Sequence, residues 1–230
     1  MIMNIEDIIE ISKDFTCTDR YVYNGINVPR ATEIISKCIH EESIVKWANN
    51  LGFNHKSYKN ELDKAANYGT KVHHSIELYL QNKNIPNDEI TVSLDAFKNW
   101  WNQINRSNKI TILGQEQKLV CRWYGGTYDL LIRINDKIFL VDFKTSNHIS
   151  FRYYIQLAAY NKILRDELGV NIDGCIILQL NKKNSIFREY VLDLSIKSHR
   201  DYLGYCERTF ISMVYTYYHI FYLDKEFKNL

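Results

Sequence analysis

Gly126-Thr-Tyr-Asp-Leu-Leu-Ile-Arg-Ile-Asn-Asp-Lys-Ile-Phe-Leu-Val-Asp-Phe-Lys144 reads as two strands joined by a tight turn at Asn135-Asp136, because β-branched and aromatic residues crowd both sides of a turn-forming pair. With those two residues as the turn, Ile134 faces Lys137, and counting outwards sets Asp129 opposite Asp142. Side chains opposed in this way have Cβ atoms roughly 4.5–5.5 Å apart. Lys144 lies two residues beyond Asp142 and projects on the same face. Two carboxylates at that separation raise each other's pKa unless a cation sits between them. Carboxylate oxygens, with the Phe143 carbonyl between them, are hard ligands suited to Mg²⁺ or Mn²⁺. Such a cation suits phosphate-ester hydrolysis: it polarises the phosphoryl oxygen, lowers the pKa of a bound water and stabilises the leaving oxygen. Lys144 would orient the water and offset charge on the pentavalent phosphate. The plain alternative is a hairpin with Asp and Lys cross-paired on a solvated face. Against it stand Leu140 and Ile138, which share the face of Asp142 and point the carboxylates towards a core, where like charges need a reason.

Other residues widen the pattern. Gly69-Thr70-Lys-Val-His73-His-Ser-Ile-Glu77 precedes the hairpin, as does Glu116, and Gln156-Leu-x-x-Tyr160 follows it. Spacing of four puts His73 and Glu77 on one helical face, and likewise Gln156 and Tyr160. Taken in order, Gly69-Thr70-x-x-His73, Glu116, Gly126-x-x-Asp129, Asp142-x-Lys144-Thr145 and Gln156-Leu-x-x-Tyr160 resemble the PD-(D/E)XK nuclease superfamily. Within it they are most similar to the RecB-type branch that includes mitochondrial genome maintenance exonuclease and phage exonucleases. Each motif alone is common; five in this order, from about residue 69 to residue 160, are specific. The resemblance implies catalytic roles for Asp129, Asp142 and Lys144, with Gln156 and Tyr160 set against the scissile phosphate or holding Lys144. It implies that His73 and Glu77 join Asp129, Asp142 and the Phe143 carbonyl around the metal, with Glu116 supporting from the first core strand. Asp142 stands where many members carry Glu, and the cysteine cluster that holds an iron–sulfur centre in some relatives is absent. The expected cofactor is therefore Mg²⁺ or Mn²⁺ without an iron–sulfur cluster.

Composition narrows the classes. The 230 residues suit one compact domain. A net charge of +2 does not by itself mark a nucleic-acid binder, which would need its basic residues clustered. Five cysteines, Cys17, Cys38, Cys121, Cys175 and Cys206, lie far apart without a C-x-x-C pair, which argues against a disulfide framework or structural zinc and for a reducing compartment. No apolar run approaches membrane-spanning length, and Glu6, Asp7 and Glu10 make the N-terminus unlike a signal or transit peptide. Abundant Asn, Lys and Ile fits an AT-rich genome, viral or bacterial. The expected location is intracellular and cytoplasmic, including a virus-infected host cell.

Periodicity gives the layout. A short amphipathic helix is expected at 5–13 and a hairpin at 21–28 around Asn24-Gly25. Helices follow near 31–39, 41–50, 58–82 and 92–106, then strands near 109–121, 125–134 and 137–144. A helix at 151–168, strands at 174–180 and 186–193, and an aromatic-rich helix at 196–222 complete the chain. The fold class is α/β (α+β): a central mixed β-sheet flanked by helices, which the resemblance casts as a restriction-endonuclease-like αβββαβ core. The expected organisation is one domain over residues 1–230, a nuclease domain by the resemblance, with a mainly helical part over 1–108, the core over 109–195 and a C-terminal helix over 196–230.

Several features have competing readings. Thr145, Ser146, Arg152 and Tyr153, with His148, sit at the mouth of the expected site and offer sequence-independent contacts to a DNA backbone; Thr145 and Ser146 equally satisfy a strand end. Trp100-Trp101 and Trp123-Tyr124 can stack on unpaired bases, although burial is the commoner fate of such residues. Lys182-Lys183 reads as a turn between strands, and Arg30 has no assigned role. The expected function is a metal-dependent DNA exonuclease leaving 5′-phosphates, in repair, recombination or replication, with free-ended DNA as partner and no membrane. The alternatives are a structure-specific endonuclease and a catalytically silent nuclease-like DNA-binding subunit.

Overall fold

The computed structural model of the protein describes residues 21–86 and 90–229, so the expected helix at 5–13 and Cys17 lie outside the described residues. Strands β1 (Val22–Tyr23) and β2 (Ile26–Asn27) meet at Asn24 and Gly25, both left-handed with φ of 49° and 82°, the conformation a two-residue hairpin requires. Four helices follow: α1 (Ala31–Cys38), α2 (Glu42–Phe53), α3 (Tyr58–Leu80) and α4 (Thr91–Ser107). A five-stranded sheet then forms from β3 (Ile110–Val120), β4 (Gly125–Ile134), β5 (Lys137–Lys144), β6 (Gly174–Leu180) and β7 (Phe187–Asp193), in that spatial order. Neighbours are antiparallel except β5 and β6, which are parallel and therefore need a crossover. Helix α5 (Phe151–Leu168) makes it, and α6 (Lys197–Asn229) closes the chain. This is a mixed α+β fold.

Each face of the sheet carries its own core. On one face Ala31, Ile34 and Ile35 of α1, the α5 run Leu157–Ala159 and the Leu203, Phe210, Val214 and Tyr217 stripe of α6 cover Leu131, Leu140 and Ile177. The α6 spacing is that of one apolar helical face. On the other face Val72 and Ile76 of α3, with Leu94, Phe97 and Trp100 of α4, cover Leu130, Ile132, Val141 and Phe143. Strand β6 is buried along its whole length, as befits a parallel strand covered on both faces. The Trp residues read as candidate stacking groups serve packing: Trp100 is fully buried and its indole donates to Glu189 at 2.6 Å. Trp123 packs edge-on against Tyr218.

Helix α2 and the first half of α3 stay largely outside both cores, with Val45, Trp47, Phe53 and Leu62 exposed. Cys38, Cys121, Cys175 and Cys206 carry free thiols. Among the described residues no helix is long and apolar enough to cross a membrane.

Candidate metal and active centre

The hairpin register is the one its turn dictates. Ile134 pairs with Lys137, and the ladder continues to Leu130 opposite Val141. There it stops, one step short of Asp129 and Asp142. The Asp129 carboxylate takes over the main-chain role: its Oδ2 accepts the Phe143 N–H at 2.6 Å. The neighbouring ladder breaks at the same level, since Gln115 pairs with Leu130 and Gln117 with Tyr128, leaving Glu116 and Asp129 unpaired between them. Glu116 has φ of 44°, a left-handed conformation that costs an L-residue roughly 1–2 kcal/mol.

That break reverses the strand's faces. Tyr128 belongs to the α5 side of the sheet, whereas Leu130, two residues on, belongs to the α3–α4 side. Regular alternation would keep both on one face. Asp129 sits at the crossover, where groups from both sides reach it. His73 approaches from α3: its Nδ1 lies 3.3 Å from Asp129 Oδ1 and 3.6 Å from Glu116 Oε1, and its Nε2 lies 3.2 Å from the Phe143 carbonyl. His73, Glu116 and Asp129 each present a ligand-type atom within 4.8 Å of the others.

Burial opposes a charge on His73, but the Asp129 carboxylate, joined by the nearby Glu116 carboxylate, outweighs it and pushes the pKa up to about 10. In the metal-free site the carboxylates around the ring thus favour its protonated form. Burial likewise works against the Asp129 carboxylate, yet His73, Lys144 and the Phe143 N–H hold it below the usual carboxylate range. A stability consequence follows. The His73 pKa is higher folded than unfolded, where it is about 6.5, so its stabilisation is complete below about 6.5 and is lost as pH rises towards about 10. In metal-free buffer the urea midpoint should fall across that window, and His73→Gln should flatten the decline. Identical declines in both proteins would exclude His73 as its cause.

The second half of the site lies on the α5 side. Asp142, 2% exposed, receives the Lys144 ammonium at 2.9 Å on Oδ1 and 2.7 Å on Oδ2. The Gln156 amide donates to Oδ1 at 3.1 Å and to the Tyr160 hydroxyl at 3.3 Å, while its carbonyl accepts from Lys144 at 3.4 Å. Burial pushes the Asp142 pKa up to about 6, with Lys144 pulling it down and Asp129 adding to the rise. Lys144 itself is raised: burial lowers it, but Asp142 and Asp129 prevail. Gly126 makes room for this arrangement, because a Cβ there would lie 2.2 Å from the Tyr160 ring.

The expected residues thus separate into two adjoining groups. One is His73, Glu116 and Asp129; the other is Asp142, Lys144, Gln156 and Tyr160. Phe143 joins them, its N–H on Asp129 and its carbonyl on His73. Glu116, expected only as a supporting residue, stands in the tight cluster, and Glu77 and Asp142 are not within it. Glu77 lines the same cleft, but its carboxylate accepts from Gln81 at 3.1 Å and lies 3.4 Å from His74 Nδ1. The Tyr153 ring lies 4.7 Å from the Lys144 ammonium and its hydroxyl donates to Ser146 at 3.2 Å. Thr145 lies against Gly69 of α3, and the Arg152 backbone caps on Ser150 at 3.3 Å. Gln179, absent from the sequence reading, ties the loop after β5 by donating to the Ser146 and Asn147 carbonyls at 2.7 and 3.0 Å. No local motif marks it, since the tie spans two strands.

The donor set fits a hard divalent cation. Glu116 Oε1 is buried without a hydrogen bond, 3.6 Å from His73 Nδ1, a state that is costly for a carboxylate oxygen unless a cation satisfies it, whereas Asp142 Oδ2 already meets the Lys144 ammonium at 2.7 Å. The His73 Nε2 contact to a backbone carbonyl is also how metal-binding imidazoles are commonly oriented, leaving Nδ1 as the ligand atom once deprotonated.

No protein-family model matches the chain, and no curated protein matches it by sequence. Among solved structures it is similar to the crystal structure of SSO0001, at 12% identity over 92% of this chain and 86% of that one, with a TM-score of 0.39. That likeness is too slight to bear on fold or activity.

Proposed function

We propose that this protein is a divalent-metal-dependent deoxyribonuclease of the PD-(D/E)XK type that digests DNA from free ends, leaving 5′-phosphates. The observation that carries the reading is the meeting of His73, Glu116 and Asp129 within 4.8 Å of one another, beside the buried Asp142–Lys144 pair. His73, Glu116 and Asp129 would hold Mg²⁺ or Mn²⁺, with Asp142 adjoining. The bound cation would supply Lewis-acid polarisation of the phosphodiester and a water of lowered pKa. Lys144 supplies a preorganised positive charge beside the reacting phosphate, fixed by Asp142 and Gln156 so that little reorganisation is needed. Tyr160 steadies Gln156. The free thiols agree with an intracellular, reducing setting, in which repair, recombination or replication would furnish DNA ends.

The test is incubation with circular and end-labelled linear DNA, single- and double-stranded, in Mg²⁺, Mn²⁺ or EDTA. Linear DNA should be degraded and circles spared, with no loss in EDTA. Cutting of circles would favour the endonuclease alternative, and DNA binding without cleavage in any divalent metal would favour the silent subunit.

A further inference from the structure

Three segments distant in sequence meet beside Lys144, at the carboxyl ends of the parallel strands β5 and β6. Lys144 pairs with Gln179 in that ladder, so Thr145 and the Asn181-Lys182 turn leave the sheet side by side. Helix α3 lies against both. At Gly69 a Cβ would be 3.8 Å from the Thr145 hydroxyl, and the preceding residue, Tyr68, places its ring centroid 4.8 Å from the Lys182 ammonium. The arrangement is braced. The Tyr68 hydroxyl bonds to Ser93 Oγ at 2.8 Å, and Ser93 donates to the Asn181 carbonyl at 3.0 Å. The ring and the turn bearing the lysine are therefore tied through one hydroxyl.

Lys182 is partly desolvated, and its pKa is lowered by burial alone. The aromatic face compensates part of that cost, about 0.5–1 kcal/mol at such a site. An anion would compensate more. This ammonium and the Thr145 hydroxyl lie beyond the carboxyl ends of the parallel pair β5 and β6.

We propose that Lys182, steadied by Tyr68, is a substrate-binding residue that engages the phosphodiester backbone of a nucleic-acid strand at a phosphate flanking the scissile one. The assignment rests on the nuclease reading and extends it to a turn that carries no family motif. Its test is binding without cleavage. The full chain is titrated in EDTA into a fluorescent oligothymidylate over a range of salt concentrations. Each phosphate contact to a single strand contributes about 0.7 to the slope of log K against log salt. Lys182→Gln should weaken binding and make that slope shallower by about 0.7, and Lys182→Arg should restore both. Lys197→Gln, which breaks a surface pair with Asp201, should leave the slope unchanged, and all variants should melt with the wild type. An unchanged slope in Lys182→Gln, with the wild type binding normally, overturns this proposal and leaves the nuclease reading standing. Wild-type protein that binds no oligonucleotide overturns this proposal and leaves the nuclease reading to the cleavage assay in Mg²⁺ or Mn²⁺.

Discussion

Asp129→Ala is expected to abolish both cation binding and DNA cleavage, whereas Lys144→Ala should abolish most cleavage and keep the cation. The Asp129 carboxylate belongs to the three-residue cluster, pairs with His73 and accepts the buried Phe143 N–H. Truncation deletes a proposed ligand and leaves that N–H without a partner, a loss of about 1–3 kcal/mol in stability. Calorimetry should show no Mn²⁺ binding, and the urea midpoint should fall. Lys144 plays a different part. Its removal leaves Asp142 buried without its cationic partner, but burial already lifts Asp142 to about 6, so the carboxyl can take a proton instead of remaining a bare charge. The cluster of His73, Glu116 and Asp129 stays whole. Loss of one preorganised donor typically costs about 10²–10³ in rate, so a trace of cleavage should survive in Lys144→Ala and none in Asp129→Ala. Wild-type Mn²⁺ affinity in the Asp129 variant would remove the metal centre from this position. Asp142→Ala adds a finer point: weakened binding there would assign its carboxylate, which already meets Lys144 at 2.7 Å, to the cation as well.

The elements were legible because their signals are local. Alternation and turn chemistry in 126–144 gave the hairpin and its register from Ile134 and Lys137 outward, and the α6 stripe followed from helical spacing. What escaped reading depends on events between elements. Counting from the turn assumes unbroken alternation, and the reversal between Tyr128 and Leu130 ends it at Asp129. One cue was present: Gly114 followed by the polar run Gln115-Glu116-Gln117 inside an apolar strand, a pattern associated with bulges. The register shift does fall between Ile112 and Gly114. Glu77 shares a helical face with His73, but four residues of rise separate them by about 6 Å along the axis. Spacing does not say which turn of the helix meets the sheet. His73 meets it, and Glu77 bonds within its own helix. The Tyr68–Lys182 contact joins α3 to the β6–β7 turn, a pairing that no local pattern can announce.

Glu116→Gly should make the metal-free protein more stable and, on the proposed function, abolish DNA cleavage. Glu116 holds a left-handed backbone, φ 44°, in the middle of β3, and its Oε1 is buried without a hydrogen bond. Glycine adopts that backbone without steric cost, though it surrenders more chain entropy on folding, about 0.5–1 kcal/mol. Set against the roughly 1–2 kcal/mol of left-handed strain, the balance is a gain of roughly 0.5–1 kcal/mol, reduced by whatever the Glu116 carboxylate contributes beside His73. His73 keeps Asp129 as its partner, so the fold around it has no reason to open. Added Mn²⁺ should reverse the order, because a ligand bound only to the native state stabilises it by mass action, and the variant lacks one carboxylate of the proposed metal centre. Urea titrations in EDTA and in Mn²⁺ read both effects from one pair of proteins. A variant less stable than wild type in EDTA would show that the Glu116 carboxylate contributes more beside His73 than its left-handed backbone costs. A variant that gains as much from Mn²⁺ as the wild type would take Glu116 out of the cation's coordination. Strain concentrated on a single polar residue is characteristic of functional sites, and here it turns the Glu116 carboxylate towards Asp129 and His73 instead of along the sheet.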